Sequence, residues 1–322
     1  MKNLCKSEGL LDPAVVLSPE ALVNSHSEEW YSKAVAAPKE SRHFVRDGAR
    51  LHMLCWNWTE NTDKPAVLLV HGFLAHAHWW DAVAPVLAQH YRVAALDLSG
   101  MGDSDARPDY PADWAARDIL AAIDHLGIAP ATVVAHSFGG SRALEASTLE
   151  PSAIRHAVVL DPYYNFIGEP APGTGSLGGR KIYPTLAEAM KHYRLLPGAV
   201  IPPDVLQHVA RHSLKPMAGG WTWKFDPVME VQVEDDGAAI LASVAACVDY
   251  VRAENSSLVS AERAQRIVDA LPNKRFGSPI TFPGVDHHLL LEKPRAVADL
   301  ILSLIRSEFD PAGDCGIAES GP

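Results

Sequence analysis

Short, mostly apolar runs separated by helical stretches constrain the fold of this chain most. Pro65-Ala66-Val67-Leu68-Leu69-Val70 is the first, and Tyr91–Leu96, Ala131–Ala135 and Ala157–Leu160 follow. A strand with one wet face alternates apolar and polar residues, whereas a strand covered on both faces reads as a continuous apolar run. Helical patterns fill the gaps at Trp80–Gln89, Ala112–Leu126 and Phe138–Glu150. Strands alternating with helices at this spacing predict βαβ units and an α/β fold with a mostly parallel central sheet flanked by helices.

The flanks divide the chain further. Residues 1–40 form an N-terminal extension with one helix, opening at Ser18-Pro19-Glu20 and running to about Val35. Arg42–Arg46 and Arg50–Trp56 surround Asp47-Gly48, a hairpin signal. After Asp161 the rhythm breaks: residues 166–180 are rich in Gly and Pro, and 184–250 read mostly as helices. Residues 166–245 are therefore expected to form a helical cap inserted over the sheet. Sheet pattern resumes near Cys247–Val251 and Gly277–Phe282, and a helix over Pro294–Ile305 closes the domain. The core spans 41–165 and 246–307, and 308–322 form a flexible tail.

Composition limits the partners. A chain of 322 residues with 48% apolar and 21% charged residues suits one large globular domain. A formal charge of −11 argues against nucleic acid, which needs a basic stripe. No apolar run approaches the ~20 residues of a membrane span, and no secretory h-region follows Met1. Cys5, Cys55, Cys247 and Cys315 form no CxxC pair and read as reduced thiols of a cytoplasmic protein. A small-molecule substrate is the expected partner, with monomer or homodimer left open.

Each apolar strand ends in a chemically loaded turn, and in a doubly wound sheet ligands bind outside the carboxyl ends of strands. At His71-Gly72-Phe73, Gly72 admits close backbone approach and the Phe73 amide is placed to meet an oxyanion. Asp97-Leu98-Ser99-Gly100-Met101-Gly102-Asp103-Ser104 reads as a structural loop. Ala135-His136-Ser137-Phe138-Gly139-Gly140 reads as a nucleophile elbow. A Ser on a sharp strand-to-helix turn needs small residues two places either side, and Ala135 and Gly139 meet that demand. The elbow sets the Phe138 amide beside that of Phe73, completing an oxyanion hole. The base is expected last in chain order, in Pro283-Gly284-Val285-Asp286-His287-His288. His287 is preferred and His288 is the alternative. His76 and His78 read as pocket-wall or surface residues rather than ligands, and no metal or cofactor is expected. Trp79, Trp80, His136, Tyr163, Tyr164, Trp221 and Trp223 are candidates for an apolar or aromatic substrate pocket.

From about residue 42 to residue 307 these motifs, in this order, resemble the α/β-hydrolase superfamily. Gly219–Pro227 resembles a stretch of its bacterial serine-hydrolase-like branch with an inserted helical cap. The resemblance implies a Ser-His-acid triad, but the acid departs from the common pattern. Where many members carry Gly-x-x-Asp, this chain has Ala253-Glu254-Asn255-Ser256. Asp161, after the strand Ala157–Leu160, stands where some branches place the acid, and Glu254 is the alternative. The expected activity is hydrolysis of a carboxylic ester, lactone or thioester of a small apolar or aromatic molecule through an acyl-enzyme on Ser137. A carbon–carbon bond hydrolase and a non-catalytic ligand-binding member are the other readings.

Overall fold

The apolar runs pair into one eight-stranded sheet in a computed structural model that describes residues 27–58, 63–169, 178–196, 198–229 and 236–309. Its strands are β1 (Glu40–Arg46), β2 (Ala49–Trp56), β3 (Ala66–Val70), β4 (Arg92–Leu96), β5 (Ala131–His136), β6 (Ile154–Leu160), β9 (Cys247–Ala253) and β10 (Ile280–Phe282). The order across the sheet is β1-β2-β4-β3-β5-β6-β9-β10. β2 runs antiparallel to both β1 and β4, and all pairs from β4 to β10 are parallel.

Both faces of the sheet are covered, which is why its central strands carry no polar alternation. Val67 and Leu69 join a core with α10 (Pro294–Phe309). Leu68 and Val70 face the other way, into a core with α3 (Trp114–Leu126) and α4 (Phe138–Leu149). Each fully buried Leu or Val contributes about 1.5–3 kcal/mol relative to exposure. Asp47 and Gly48 both have positive φ, 48° and 81°, the turn whose twist suits the β1–β2 hairpin.

Several elements differ from the sequence reading. The helix expected over Trp80–Gln89 is a 3₁₀ turn, Ala77–Trp80, followed by a single turn α2 (Ala84–Leu87) with Pro85 in its first turn. The described N-terminal helix, α1 (Glu28–Val35), is capped by Ser27, whose side chain accepts the Trp30 N–H. The start expected at Ser18 and the tail from Asp310 lie outside the described residues. Cys55 is a buried free thiol, but Cys247 is disulfide-bonded, against the expectation of four reduced cysteines. No described helix is long and apolar enough to cross a membrane.

Between β6 and β9 the chain leaves the sheet. This insertion carries α5 (Leu186–Met190), α6 (Pro203–His212), the hairpin β7 (Leu214–Met217) with β8 (Gly220–Trp223), and α7 (Gly237–Ala242). The hairpin stands where only helices were expected. Tyr183 pairs with Trp221 through backbone bonds and adds a bridge to β8. α8 (Ala261–Ala270) follows β9, and the one-turn α9 (Leu289–Glu292) follows β10.

The loop after β4 anchors the insertion. Asp226 donates its N–H to the Gly100 carbonyl at 2.8 Å, and Lys224 pairs with Asp103 at 2.7 Å. Asp97 organises that loop from inside. Fully buried, it accepts from His52 Nδ1 at 2.7 Å, the Ala77 N–H at 2.6 Å and the Asp103 N–H at 2.9 Å. Burial opposes its charge, but the hydrogen bond and charge of His52, with His71 and His76 nearby, hold its carboxyl below the usual carboxylate range. Asp97→Ala strands these donors in the core. It is expected to lower the unfolding free energy by about 3–5 kcal/mol, measured by urea denaturation. A loss below about 1 kcal/mol would contradict the role given to Asp97.

Candidate active site

β5 ends on Ser137, whose backbone sits at φ 52°, ψ −122°. A non-glycine residue there is strained, and the surroundings must hold it. The Ser137 N–H donates to the Leu160 carbonyl at 2.9 Å, and the Ser137 carbonyl accepts from Gly140 and Ser141 as α4 begins. A Cβ on Gly139 would lie 2.3 Å from the His71 carbonyl oxygen, so only Gly lets α4 start this close to the end of β3. The turn presents the Ser137 hydroxyl above the sheet at the N-terminus of α4.

Three sheet-edge loops meet at that hydroxyl. His287, in the loop after β10, brings Nε2 to 2.8 Å from Ser137 Oγ and Nδ1 to 2.8 Å from Asp161 Oδ2. Asp161 follows β6 at φ 53°, with its N–H bonded to the Val251 carbonyl at 2.7 Å. Its Oδ1 accepts the Ala253 N–H at 3.1 Å. Ser256 Oγ accepts the N–H groups of Val259 and Leu258, which leaves its hydroxyl proton to donate to Asp161 Oδ2 at 2.5 Å. Ser256, at the position where many family members carry Asp, thus faces the Asp161 carboxylate. Glu254 is turned away: its Oε2 accepts the Gly284 N–H at 2.7 Å and braces the turn after β10.

The His287 backbone is pinned on both sides. Its N–H donates to Asp286 Oδ1 at 2.6 Å, and its carbonyl accepts from His136 Nε2 at 2.8 Å. Asp286 in turn accepts from Ser257 and donates its own N–H to Glu292 Oε1. Neither Asp286 nor Ser257 was singled out in the sequence. An Asp preceding the His is the one local signal that pointed to this support.

His71 fixes the Gly72–Phe73 peptide. Fully buried, it accepts the Leu98 N–H at Nε2 (3.1 Å), so its proton sits on Nδ1 and is donated to the Gly72 carbonyl at 2.7 Å. In a trans peptide C=O and N–H point opposite ways. Fixing the Gly72 carbonyl therefore turns the Phe73 N–H away from His71. Neither Phe73 nor Phe138, the first residue of α4, donates its N–H to a backbone acceptor among the described residues. Their rings pack edge to face at 5.5 Å, which keeps the two segments adjacent.

A cavity of about 650 Å³ opens over Ser137. Trp79, His136 and Trp223 line it, whereas Trp80, Tyr163, Tyr164 and Trp221 do not. Trp80 is fully buried in the core. Asp161 and Pro162 send the chain behind α4, where Tyr164 donates to the Ser141 carbonyl and Tyr163 stacks on Arg263 of α8. Trp221 is held to Tyr183 by the backbone pairing already described. Tyr183, Tyr193, Phe225 and Leu258 are wall residues that no motif signalled.

Three neutral imidazoles add polarity to this wall. His136 spends its Nε2 proton on the His287 carbonyl, leaving a buried Nδ1 lone pair. His76 donates from Nε2 to Ser213, whose own proton goes to the Val209 carbonyl, and this also leaves a buried Nδ1 lone pair. His288 accepts the Leu196 N–H at Nε2, so its Nδ1 is a buried donor. Burial drives the proton affinity of all three down, that of His288 to about 3. Arg180, Lys181 and Arg194 are exposed at the cavity's edge, and among the described residues no carboxylate lines it.

Among the described residues, two groups place metal-ligating atoms close together: His52, Asp97 and Asp103, and His78, Asp81, His208 and His212. The oxygens of Asp97 are already filled by His52 and two backbone N–H groups.

Residues 67–300 match the alpha/beta hydrolase family. A 2-(acetamidomethylene)succinate hydrolase of Mesorhizobium japonicum is 25% identical over 282 residues, covering 84% of this chain and 99% of that protein. The solved structure of an E-2-(acetamidomethylene)succinate hydrolase superposes with a TM-score of 0.69 at 22% identity, covering 84% of this chain and 100% of that one. A thioesterase domain from the curacin biosynthetic pathway gives 0.68 at 23% identity, over 82% of this chain and 99% of that one. These likenesses to solved structures show the shared fold. The chain is a hydrolase-fold protein that belongs to the alpha/beta hydrolase family.

Proposed function

We propose that this protein is a serine hydrolase that cleaves a carboxylic ester or thioester of a small molecule through an acyl-enzyme on Ser137. The observation that carries this reading is the unbroken chain Ser137–His287–Asp161, with both links at 2.8 Å. His287 Nε2 takes the hydroxyl proton as Ser137 Oγ attacks the carbonyl carbon. Asp161 holds the Nδ1 proton and stabilises the imidazolium. The carbonyl oxygen becomes an oxyanion that accepts from the Phe73 and Phe138 amides. Collapse breaks the bond to the leaving oxygen or sulfur, which takes the proton from His287. Water, deprotonated by His287, then attacks the acyl carbon and frees Ser137.

The non-catalytic reading rested on the missing Asp at position 256, and the 2.8 Å contact of Asp161 with His287 supports the catalytic reading over it. For the substrate, the aromatic wall of Trp79 and Trp223 suits an apolar acyl group. The cationic edge suits a carboxylate at the far end of that group. The charge contrast is sharp on a chain of net charge −11. The Mesorhizobium relative is itself named for a succinate derivative.

Steady-state turnover of a p-nitrophenyl ester checks the roles. Ser137→Ala and Asp161→Asn are each expected to lower kcat by about 10⁴-fold, whereas Glu254→Gln stays near the parent rate. A greater loss from Glu254→Gln than from Asp161→Asn would overturn the assignment of the acid, and full turnover by Ser137→Ala would overturn the mechanism. For the edge, matched acyl esters ending in a carboxylate or in its methyl ester are compared. The parent is expected to favour the carboxylate, and Arg180→Ala/Arg194→Ala to reduce its kcat/KM by about fivefold while leaving the neutral ester unchanged. Equal loss on both esters would refute the charge reading.

A further inference from the structure

His78 and Asp81 stand on the core, in and just after the 3₁₀ turn, while His208 and His212 stand one helical turn apart on α6 of the insertion. The four side chains each bring a ligand atom within 4.8 Å of all the others. Asp81 Oδ2 lies 2.8 Å from His78 Nδ1 and 2.8 Å from His208 Nε2. The His212 ring stacks on His78 at 3.9 Å and lies 4.4 Å from His208.

We infer that His78, Asp81, His208 and His212 form a site for a zinc-class divalent cation that fastens α6 of the insertion to the core. The donor set is three imidazoles and one carboxylate, the borderline nitrogen and oxygen ligands that zinc takes in fours. Residues four apart on a helix share a face, so His208 and His212 chelate from one side while His78 and Asp81 close the other. Metal–ligand bonds of 2.0–2.2 Å put ligand atoms roughly 3–3.5 Å apart, so the group needs only small side-chain adjustments.

The surroundings are those of a prepared site. His212 Nδ1 donates to the His208 carbonyl at 2.9 Å, which leaves its Nε2 with the lone pair a metal requires. Asp81 is 1% exposed, and its second oxygen has no hydrogen bond but lies 3.1 Å from Lys39 Nζ, an outer partner that fixes the carboxylate. On binding, the contacts of His78 and His208 to Asp81 Oδ2 are exchanged for bonds to the cation.

The site borders the cavity wall. Trp79 lies between His78 and Asp81 in sequence, and His76, bonded to Ser213 just after α6, lines the same cavity. The cation therefore fixes two walls of the cavity without touching Ser137.

Binding is read without turnover, so its failure is separate from that of the hydrolase reading. The full-length protein is dialysed against a chelator, then titrated with Zn²⁺ by calorimetry and with Co²⁺ by visible absorption. One equivalent is expected, with a four-coordinate Co²⁺ spectrum. A 100-fold excess of Zn²⁺ over Kd is expected to raise Tm by about 5–10 °C. His208→Gln/His212→Gln should weaken the affinity at least about 100-fold. Absence of a one-equivalent Zn²⁺ site in the parent, or unchanged affinity in the double variant, would overturn the assignment. If that variant does not fold, His78→Gln and the Co²⁺ spectrum of the parent decide. A six-coordinate spectrum, or binding unaltered by His78→Gln, refutes it.

Discussion

The site depends on one backbone constraint: β5 must turn into α4 within a single residue, at a φ that a side-chain-bearing residue resists. The cost is borne by packing on every side. Ala135 and Gly139 remove the bulk that would block the turn, and Gly139 lets α4 approach the His71 carbonyl. The same close approach sets Gly72 against His136 and Ser137, and the rings of Phe73 and Phe138 meet 5.5 Å apart. The proposed nucleophile and the proposed oxyanion donors thus both follow from one turn.

The hydrogen bonds behind the turn share a logic of saturation. Each donor or acceptor that faces the site is aimed there because its other partner is already taken. Two amides fill the lone pairs of Ser256, so its proton goes to Asp161. Leu98 occupies Nε2 of His71, so its Nδ1 proton orients the Gly72–Phe73 peptide. Leu196 occupies Nε2 of His288, so its other nitrogen is a donor at the cavity wall. In a buried site such preorganisation means that little need rearrange as charge develops.

The sheet was legible in the sequence because burial on both faces writes continuous apolar runs, as at Val67–Val70 and Val133–Ala135. The elbow was legible because its steric demand restricts residue types at fixed offsets. The insertion was less so. Lys215, Pro216 and Gly220 carry no strand alternation, and the hairpin they form is stabilised by Tyr183 and the loop after β4 rather than by local propensity. Tyr163 and Tyr164 were misplaced because the direction of the chain after Asp161 depends on a positive φ that no local motif announces. His78 was read as wall or surface because its proposed partners, His208 and His212, lie more than a hundred residues away.

The central claim is that Ser137 is the nucleophile and that the Phe73 and Phe138 amides receive the oxyanion. A crystal structure of the protein after reaction with an alkyl fluorophosphonate tests it most directly. The expected result is phosphorus bonded to Ser137 Oγ, with a phosphonyl oxygen about 2.7–3.1 Å from both amide nitrogens and His287 Nε2 still facing Oγ. Phosphorus on another side chain, or that oxygen turned away from Phe73 and Phe138, would contradict it.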